Sequence, residues 1–98
     1  MRLETPMTHR VPIEGTLDLH AFAPRDIPSV VEEYITAAQA EGLDEVRLIH
    51  GRGVGVQRRT VHEVLRNHPS VAEFRDAPES HLGATIAQLV SVDPEAGP

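Results

Sequence analysis

Two short polar motifs carry the residues of this sequence that could do chemistry. Asp18 and His20 stand in the stretch LDLH, and His50 opens the stretch HGRGVG. A carboxylate beside a histidine can fix which ring nitrogen carries the proton, while the histidine moves a proton to or from a substrate. Asp18, His20 and His50 are therefore the candidate catalytic residues.

The segment after His50 has the composition of an anion-binding turn. Three glycines and three arginines follow within nine positions. Backbone amides of a glycine-rich turn and the N-terminus of the next helix bind phosphate, and arginine adds charge-assisted contacts. The candidate substrate-binding residues here are Gly51, Arg52, Gly53, Gly55, Arg58 and Arg59. The Walker lysine and the G-x-G-x-x-G spacing are both missing, so a dinucleotide site is not indicated.

Plainer interpretations of the same residues stay open. The glycines could serve only to join a strand to a helix, and Asp18 could simply hold His20 at a strand end. A metal site formed by Asp18, His20 and His50 is a further alternative, although this spacing matches no specific zinc signature. We expect no cofactor, with a divalent cation such as Mg²⁺ at Asp18 as the alternative. His62 and His68, on the second helix, are predicted to be surface or edge residues.

Charge is distributed unevenly along the chain. The net charge is −6, which by itself argues against a polyanionic partner. From Arg47 to Arg66, however, there are five arginines and one acid, Glu63, which gives +4 and leaves −10 for the remainder. A local basic edge on an acidic body can still bind a nucleic acid, and the acidic remainder suppresses indiscriminate binding.

The apolar pattern predicts the element order βαβαββ. Strands are expected at 16–20, 46–49, 71–76 and 84–92. A first helix follows Asp26 as N-cap and ends at Gly42, with an apolar stripe at Ile27, Val30, Val31, Tyr34, Ile35 and Ala38. A second helix carries Val61, Val64 and Leu65 on one face and stops before Pro69. Residues 1–15 are predicted to be an N-terminal arm, 16–92 the folded domain and 93–98 a C-terminal tail.

Chain topology should bring the two polar motifs together. A strand, a crossover helix and a second strand almost always form a right-handed unit with parallel strands. Both strands then end at one edge of the sheet, so Asp18 and His20 should lie near His50 and Gly51. Ligands of open α/β sheets bind outside such carboxyl ends. If the last strand is antiparallel, its beginning reaches the same edge.

Length and apolar patterning limit the class of protein. Ninety-eight residues allow one domain. No segment has the apolar run of a signal peptide or a membrane span, and cysteine is absent. We therefore expect a cytoplasmic protein that does not bind a membrane.

The ordered set of motifs resembles the small MutS-related (Smr) domain. The matching stretches are LDLH at 17–20, IHGRGVG at 49–55, RRTV at 58–61, HPSV at 68–71 and GAT at 83–85. The resemblance covers about residues 16–90 and identifies a standalone bacterial single-domain member. It departs from the family pattern at Ala21, where glycine is usual, at Val54 and Val56, and at 80–83, where SHLG replaces G-G-x-G.

This resemblance implies a two-layer α/β sandwich with a small mixed four-stranded sheet and two helices on one face. It implies nucleic-acid endonuclease activity, either nicking or cleavage of DNA or structured RNA. Asp18 and His20 would be the catalytic pair, His50 to Gly55 the substrate loop, and Gly83 and Thr85 the last motif at the substrate.

A non-catalytic nucleic-acid adaptor is the alternative. Phe22, beside the site, would stack on an unpaired base or plug the core, and a homodimer covering the free sheet face is also open.

Overall fold

The computed structural model describes residues 13–51, 56–78 and 83–91. The elements are strands β1 (Thr16–Asp18), β2 (Glu45–Ile49), β3 (Val71–Asp76) and β4 (Ala84–Leu89), and helices α1 (Ile27–Ala40) and α2 (Val56–Asn67). Two short 3₁₀ helices, Leu19–Ala21 and Pro24–Asp26, connect β1 to α1. The predicted order βαβαββ is confirmed for the described residues.

The four strands form one mixed sheet in the order β1-β2-β4-β3. β1 and β2 are parallel, with Asp18 beside Ile49. β4 runs antiparallel to both of its neighbours, so that its beginning lies next to the ends of β2 and β3. The carboxyl ends of β1, β2 and β3 and the amino end of β4 therefore share one edge of the sheet, as predicted for the first two strands.

Helix α1 buries the predicted apolar stripe. Its fully buried side chains are those of Ile27, Val31, Ile35 and Ala38. The helix ends in a Schellman motif, since Gly42 adopts a φ of 89° and its amide donates to the carbonyl of Gln39, while the Leu43 amide donates to the Ala38 carbonyl. Asp26 is the N-cap residue of α1, as predicted, but its carboxylate makes no capping hydrogen bond, because the 3₁₀ helix runs directly into α1.

Both helices pack on one face of the sheet. Val61 and Leu65 of α2 join the α1 stripe, and Val46, Leu48, Ala87 and Leu89 supply the strand side of this core. Along β4 the alternate residues Ala84 and Ile86 point away from the helices and form a second small cluster with Ala77. The two-layer sandwich is thus confirmed, and β4 is buried on both faces.

Two predicted boundaries are wrong. β1 ends at Asp18, so His20 lies in a 3₁₀ turn and not on the strand, and β4 ends at Leu89. Of the predicted arm, 13–15 are held on the fold: the Gly15 carbonyl accepts from the Arg47 amide at 2.7 Å, and the Tyr34 hydroxyl donates to the Glu14 carbonyl. Residues 1–12 and the tail at 93–98 lie outside the described residues. No described helix is long and apolar enough to cross a membrane.

Candidate active site

Asp18 and His20 form a hydrogen-bonded pair at the end of β1. The Oδ1 atom of Asp18 accepts from the His20 amide at 2.9 Å and lies 2.7 Å from His20 Nδ1. Asp18 thereby caps the 3₁₀ helix that begins at Leu19. The predicted pairing is present, but the turn creates it, where strand alternation had been expected to do so. Both side chains are open to solvent, with 63% of His20 and 60% of Asp18 exposed.

The bond from Asp18 fixes the protonation pattern of His20. A carboxylate only accepts hydrogen bonds, so His20 Nδ1 carries a proton toward it and the neutral ring keeps its lone pair on Nε2. The hydrogen bonds from the His20 amide and ring lower the pKa of Asp18. Asp18 is therefore ionised at neutral pH.

The backbone of Gly51 lies beside His20 and forms one wall of the candidate site, called the Gly51 wall below. A Cβ atom built on Gly51 would lie 3.4 Å from His20 Nε2, and Gly51 adopts a φ of 86°. The amides of His50 and Gly51 both donate to the Gly83 carbonyl at 3.0 Å, which fastens the end of β2 to the beginning of β4. The structure thus brings His20, Gly51 and Gly83 to one edge, as the topology predicts.

His50 is buried behind this wall. Only 6% of the residue is exposed, and both ring nitrogens are engaged. Nδ1 lies 3.0 Å from the Gly51 carbonyl oxygen, and Nε2 lies 2.9 Å from Thr85 Oγ1. In this arrangement the ring holds the backbone of Gly51, and neither nitrogen is directed toward solvent.

Thr85 bridges two histidines. Its side chain is fully buried, and His62 Nε2 lies 2.9 Å from the same Oγ1 atom that contacts His50. The two imidazoles meet edge to face, with centroids 6.3 Å apart. Thr85 thus belongs to the interior of the site, and its burial does not support the direct substrate contact predicted for it.

Arg58 and Asp76 complete this edge from α2 and β3. The Arg58 guanidinium donates to both carboxylate oxygens of Asp76, at 3.0 and 2.7 Å. The hydrogen bonds raise the pKa of Arg58 and lower that of Asp76. Arg58 was predicted to contact substrate, but here its charge is compensated, while 47% of its side chain stays exposed.

His62 and Asp76 were missed by the sequence analysis. Asp76 Oδ1 lies 3.5 Å from His62 Nε2, and burial is the main cause that lowers the pKa of His62. The prediction of a surface or edge position for His62 did not anticipate these contacts. The spacing held a signal, because His62 is four residues after Arg58 and directly follows buried Val61, which places it beside the core stripe.

Of the remaining predicted residues, Arg59 and His68 stand apart from this network. Arg59 is exposed on α2. Arg52, Gly53 and Gly55 lie outside the described residues. His68 bonds to Thr36 Oγ1 and to the Ser70 amide near the end of α2.

A three-ligand metal site is not assembled by the described part of the chain. In the ranges 13–51, 56–78 and 83–91, no three histidine or carboxylate side chains are grouped as a metal would require. Asp18 and His20 form a pair, whereas the His50 nitrogens face Gly51 and Thr85. A divalent cation at Asp18 stays an untested prediction.

Comparison with known proteins gives a consistent family. The model of the Smr domain family matches residues 17–90. Proteins named endonuclease MutS2 are similar over 79 residues, or 79% of this chain, with 40% identity in Brevibacillus brevis and 32% in Clostridium botulinum strain 657. The chain spans about a tenth of the length of these curated relatives, since the match covers 10% of each.

A solved structure agrees with this result. The crystal structure of the Smr domain of Thermus thermophilus MutS2 superposes with a TM-score of 0.72 at 32% identity, covering 79% of this chain and 99% of that one. The sandwich fold, the motifs in their order and the family match therefore agree, and the chain belongs to the Smr domain family.

Proposed function

We propose that this chain is a nucleic-acid endonuclease that cleaves a phosphodiester bond at the edge formed by Asp18, His20 and Gly51. One observation carries the proposal. His20 is exposed, the ionised carboxylate of Asp18 orients its ring, and its Nε2 atom lies beside the Gly51 wall. Membership of the Smr family and similarity to proteins named endonuclease MutS2 support the same activity.

His20 is the proton-transfer residue in this proposal. Its Nε2 lone pair takes the proton from the attacking hydroxyl group, and Asp18 stabilises the imidazolium that results. Gly51 has no Cβ, so no side chain of residue 51 lies against Nε2. Because the pair is open to solvent, water can protonate the leaving oxygen.

The phosphate is held by groups after Gly51. The N-terminus of α2 begins at Val56, directly after the predicted glycine and arginine turn, and Arg59 is exposed in the first turns of this helix. Helix N-termini and arginines stabilise the charge that develops on phosphate oxygens. The roles of Arg52, Gly53 and Gly55 as the phosphate turn stay predictions.

We assign His50 to the support of the site. The ring is buried and both of its nitrogens are hydrogen-bonded. This arrangement favours a role in positioning Gly51, and it does not favour proton transfer at the substrate. This assignment replaces the catalytic role predicted from the sequence.

RNA is the substrate class that this chemistry favours. The 2′-hydroxyl is an internal nucleophile that one histidine base can activate, whereas DNA requires a water molecule to be positioned and activated. Structured RNA and DNA are both to be tested. A cytoplasmic location and a homodimer stay predictions.

The test is a cleavage and binding panel. Labelled single- and double-stranded RNA and DNA are incubated with the wild type, Asp18→Ala and His20→Ala, with and without chelator. The proposal expects cleavage by the wild type, with loss of cleavage and retention of binding in both variants. Binding without any cleavage by the wild type would instead indicate the adaptor. Loss of activity with chelator would place a divalent cation in the site.

A further inference from the structure

We propose that His62 is a positioning residue for the candidate active site. Through the hydroxyl of Thr85, it stabilises His50 in the tautomer that donates to the Gly51 carbonyl. The effect of His62 on cleavage rests on the proposed function. The hydrogen-bond arrangement of His62, Thr85 and His50 does not depend on that function.

The direction of each hydrogen bond in the chain can be derived. The Gly51 carbonyl only accepts, so His50 Nδ1 must donate to it at 3.0 Å. The neutral imidazole then has a lone pair on Nε2, to which Thr85 donates its single hydroxyl proton at 2.9 Å. With that proton used, Thr85 Oγ1 can only accept from the second histidine.

His62 must therefore donate from Nε2 to Thr85. This tautomer is the opposite of the one at His50, and Asp76 reinforces it because a carboxylate oxygen lies 3.5 Å from the same nitrogen. Packing holds the ring in this orientation, since the Phe74 ring centroid is 4.9 Å away and 15% of the His62 side chain is exposed. The chain of donors thus runs from His62 through Thr85 and His50 to the Gly51 carbonyl.

Removal of His62 would leave the Thr85 hydroxyl free to reverse. Thr85 is fully buried, so no bulk water replaces the lost donor. Its oxygen could then accept from His50 Nε2 in the opposite tautomer, which becomes less disfavoured but stays the minor form, because its Nδ1 lone pair faces the Gly51 carbonyl. In that tautomer Gly51 would lose the hydrogen bond from the His50 ring, although the hydrogen bonds from the His50 and Gly51 amides to the Gly83 carbonyl would remain.

Nuclear magnetic resonance tests this assignment without any substrate. Long-range ¹H–¹⁵N correlations of the imidazole rings identify which nitrogen carries the proton. For the wild type near neutral pH, we expect opposite tautomers, with the proton on Nδ1 of His50 and on Nε2 of His62. Like tautomers in these two rings would overturn the proposal, and this measurement needs no variant to fold.

Two variants test the dependence on His62. His62→Gln places an amide donor near the Nε2 position and should keep His50 in its single tautomer, whereas His62→Leu should add a detectable minor population of the opposite tautomer. An unchanged His50 spectrum in a folded His62→Leu protein would contradict the positioning role.

The effect of His62 on cleavage is tested separately from the tautomers. If the wild type cleaves, His62→Leu should lower the single-turnover rate on the order of tenfold, as expected for a supporting hydrogen-bond partner, without loss of binding, and His62→Gln should restore it. Equal rates in all three folded proteins would contradict the consequence for cleavage. If the wild type does not cleave, the proposed function fails, while the tautomers still decide the structural inference.

Discussion

The Nε2 atom of His20 lies 3.4 Å from the position that a Cβ atom on Gly51 would occupy. A methyl group on residue 51 would therefore lie in van der Waals contact with the nitrogen assigned to proton transfer. This proximity places the two sequence motifs, one ending β1 and the other following β2, at a single edge of the sheet.

Gly51→Ala should damage both stability and the site. A methyl group at a φ of 86° costs about 1–2 kcal/mol of unfolding free energy and also crowds His20 Nε2. Gly42→Ala is the matched control, because Gly42 has a φ of 89° and a methyl group added there would meet nothing within 4 Å. Denaturant unfolding should give similar losses for both, while only Gly51→Ala should shift the His20 ring resonances and lower cleavage. Equal His20 spectra in the two variants would contradict the contact.

Asp76→Asn should strengthen nucleic-acid binding. The substitution weakens the two-oxygen ion pair that compensates Arg58, so the guanidinium becomes available to a phosphate. One added phosphate contact should steepen the dependence of log K on log salt by about 0.7–0.9. Glu73→Gln, which removes the same charge from an exposed position on β3, controls for the change in net charge. Identical salt slopes for the two variants, measured by fluorescence anisotropy, would argue against release of Arg58.

Acid should destabilise the wild type partly through His62. Burial lowers the pKa of His62 from 6.5, so the unfolded chain binds a proton more readily than the folded one and stability falls as the pH drops below that value. His62→Gln lacks this titration. Its stability relative to the wild type should therefore improve between pH 7.5 and pH 5.5, as measured by urea unfolding. If the free energies of unfolding of the two proteins change in parallel with pH, His62 does not contribute to the acid destabilisation.

Phe22→Ala should weaken binding to unpaired strands more than binding to duplexes. Phe22 is 37% exposed and follows His20 by two residues, so its ring can reach a base beside the cleaved phosphate. Stacking on an aromatic ring contributes about 1–3 kcal/mol per base. Phe22→Leu, which keeps an apolar side chain without a ring, is the control. If Phe22→Leu binds unpaired RNA as tightly as the wild type, the ring is not a stacking platform.

The architecture followed from the sequence because its signals were local and strong. The stripe from Ile27 to Ala38 has an unbroken helical period, and Gly42 marks the end of that helix. The right-handed crossover then places β1 beside β2 in parallel. These rules were sufficient to bring Asp18 and His50 to the same edge.

The contacts within the site were less predictable, because they depend on tertiary geometry. Alternation along a strand suggested that Asp18 and His20 share a face, but the chain turns into a 3₁₀ helix after Asp18, and capping of that turn creates the pair. The position of His62 depends on how α2 rotates against β4, and the Arg58–Asp76 pair depends on the register of β3. Periodicity sets neither quantity.

The single-turnover cleavage rate of His20→Gln at saturating protein tests whether His20 transfers the proton during cleavage. His68→Gln is the matched control, because the same change is made just beyond the C-terminal end of α2. This helix has 12 residues and is about 18 Å long, and its N-terminal end is the one assigned to the phosphate. We expect His20→Gln to retain binding and to cleave at least about a hundredfold more slowly than the wild type, and we expect His68→Gln to cleave normally. A wild type that does not cleave, or equal rates for the two variants, would contradict this role of His20.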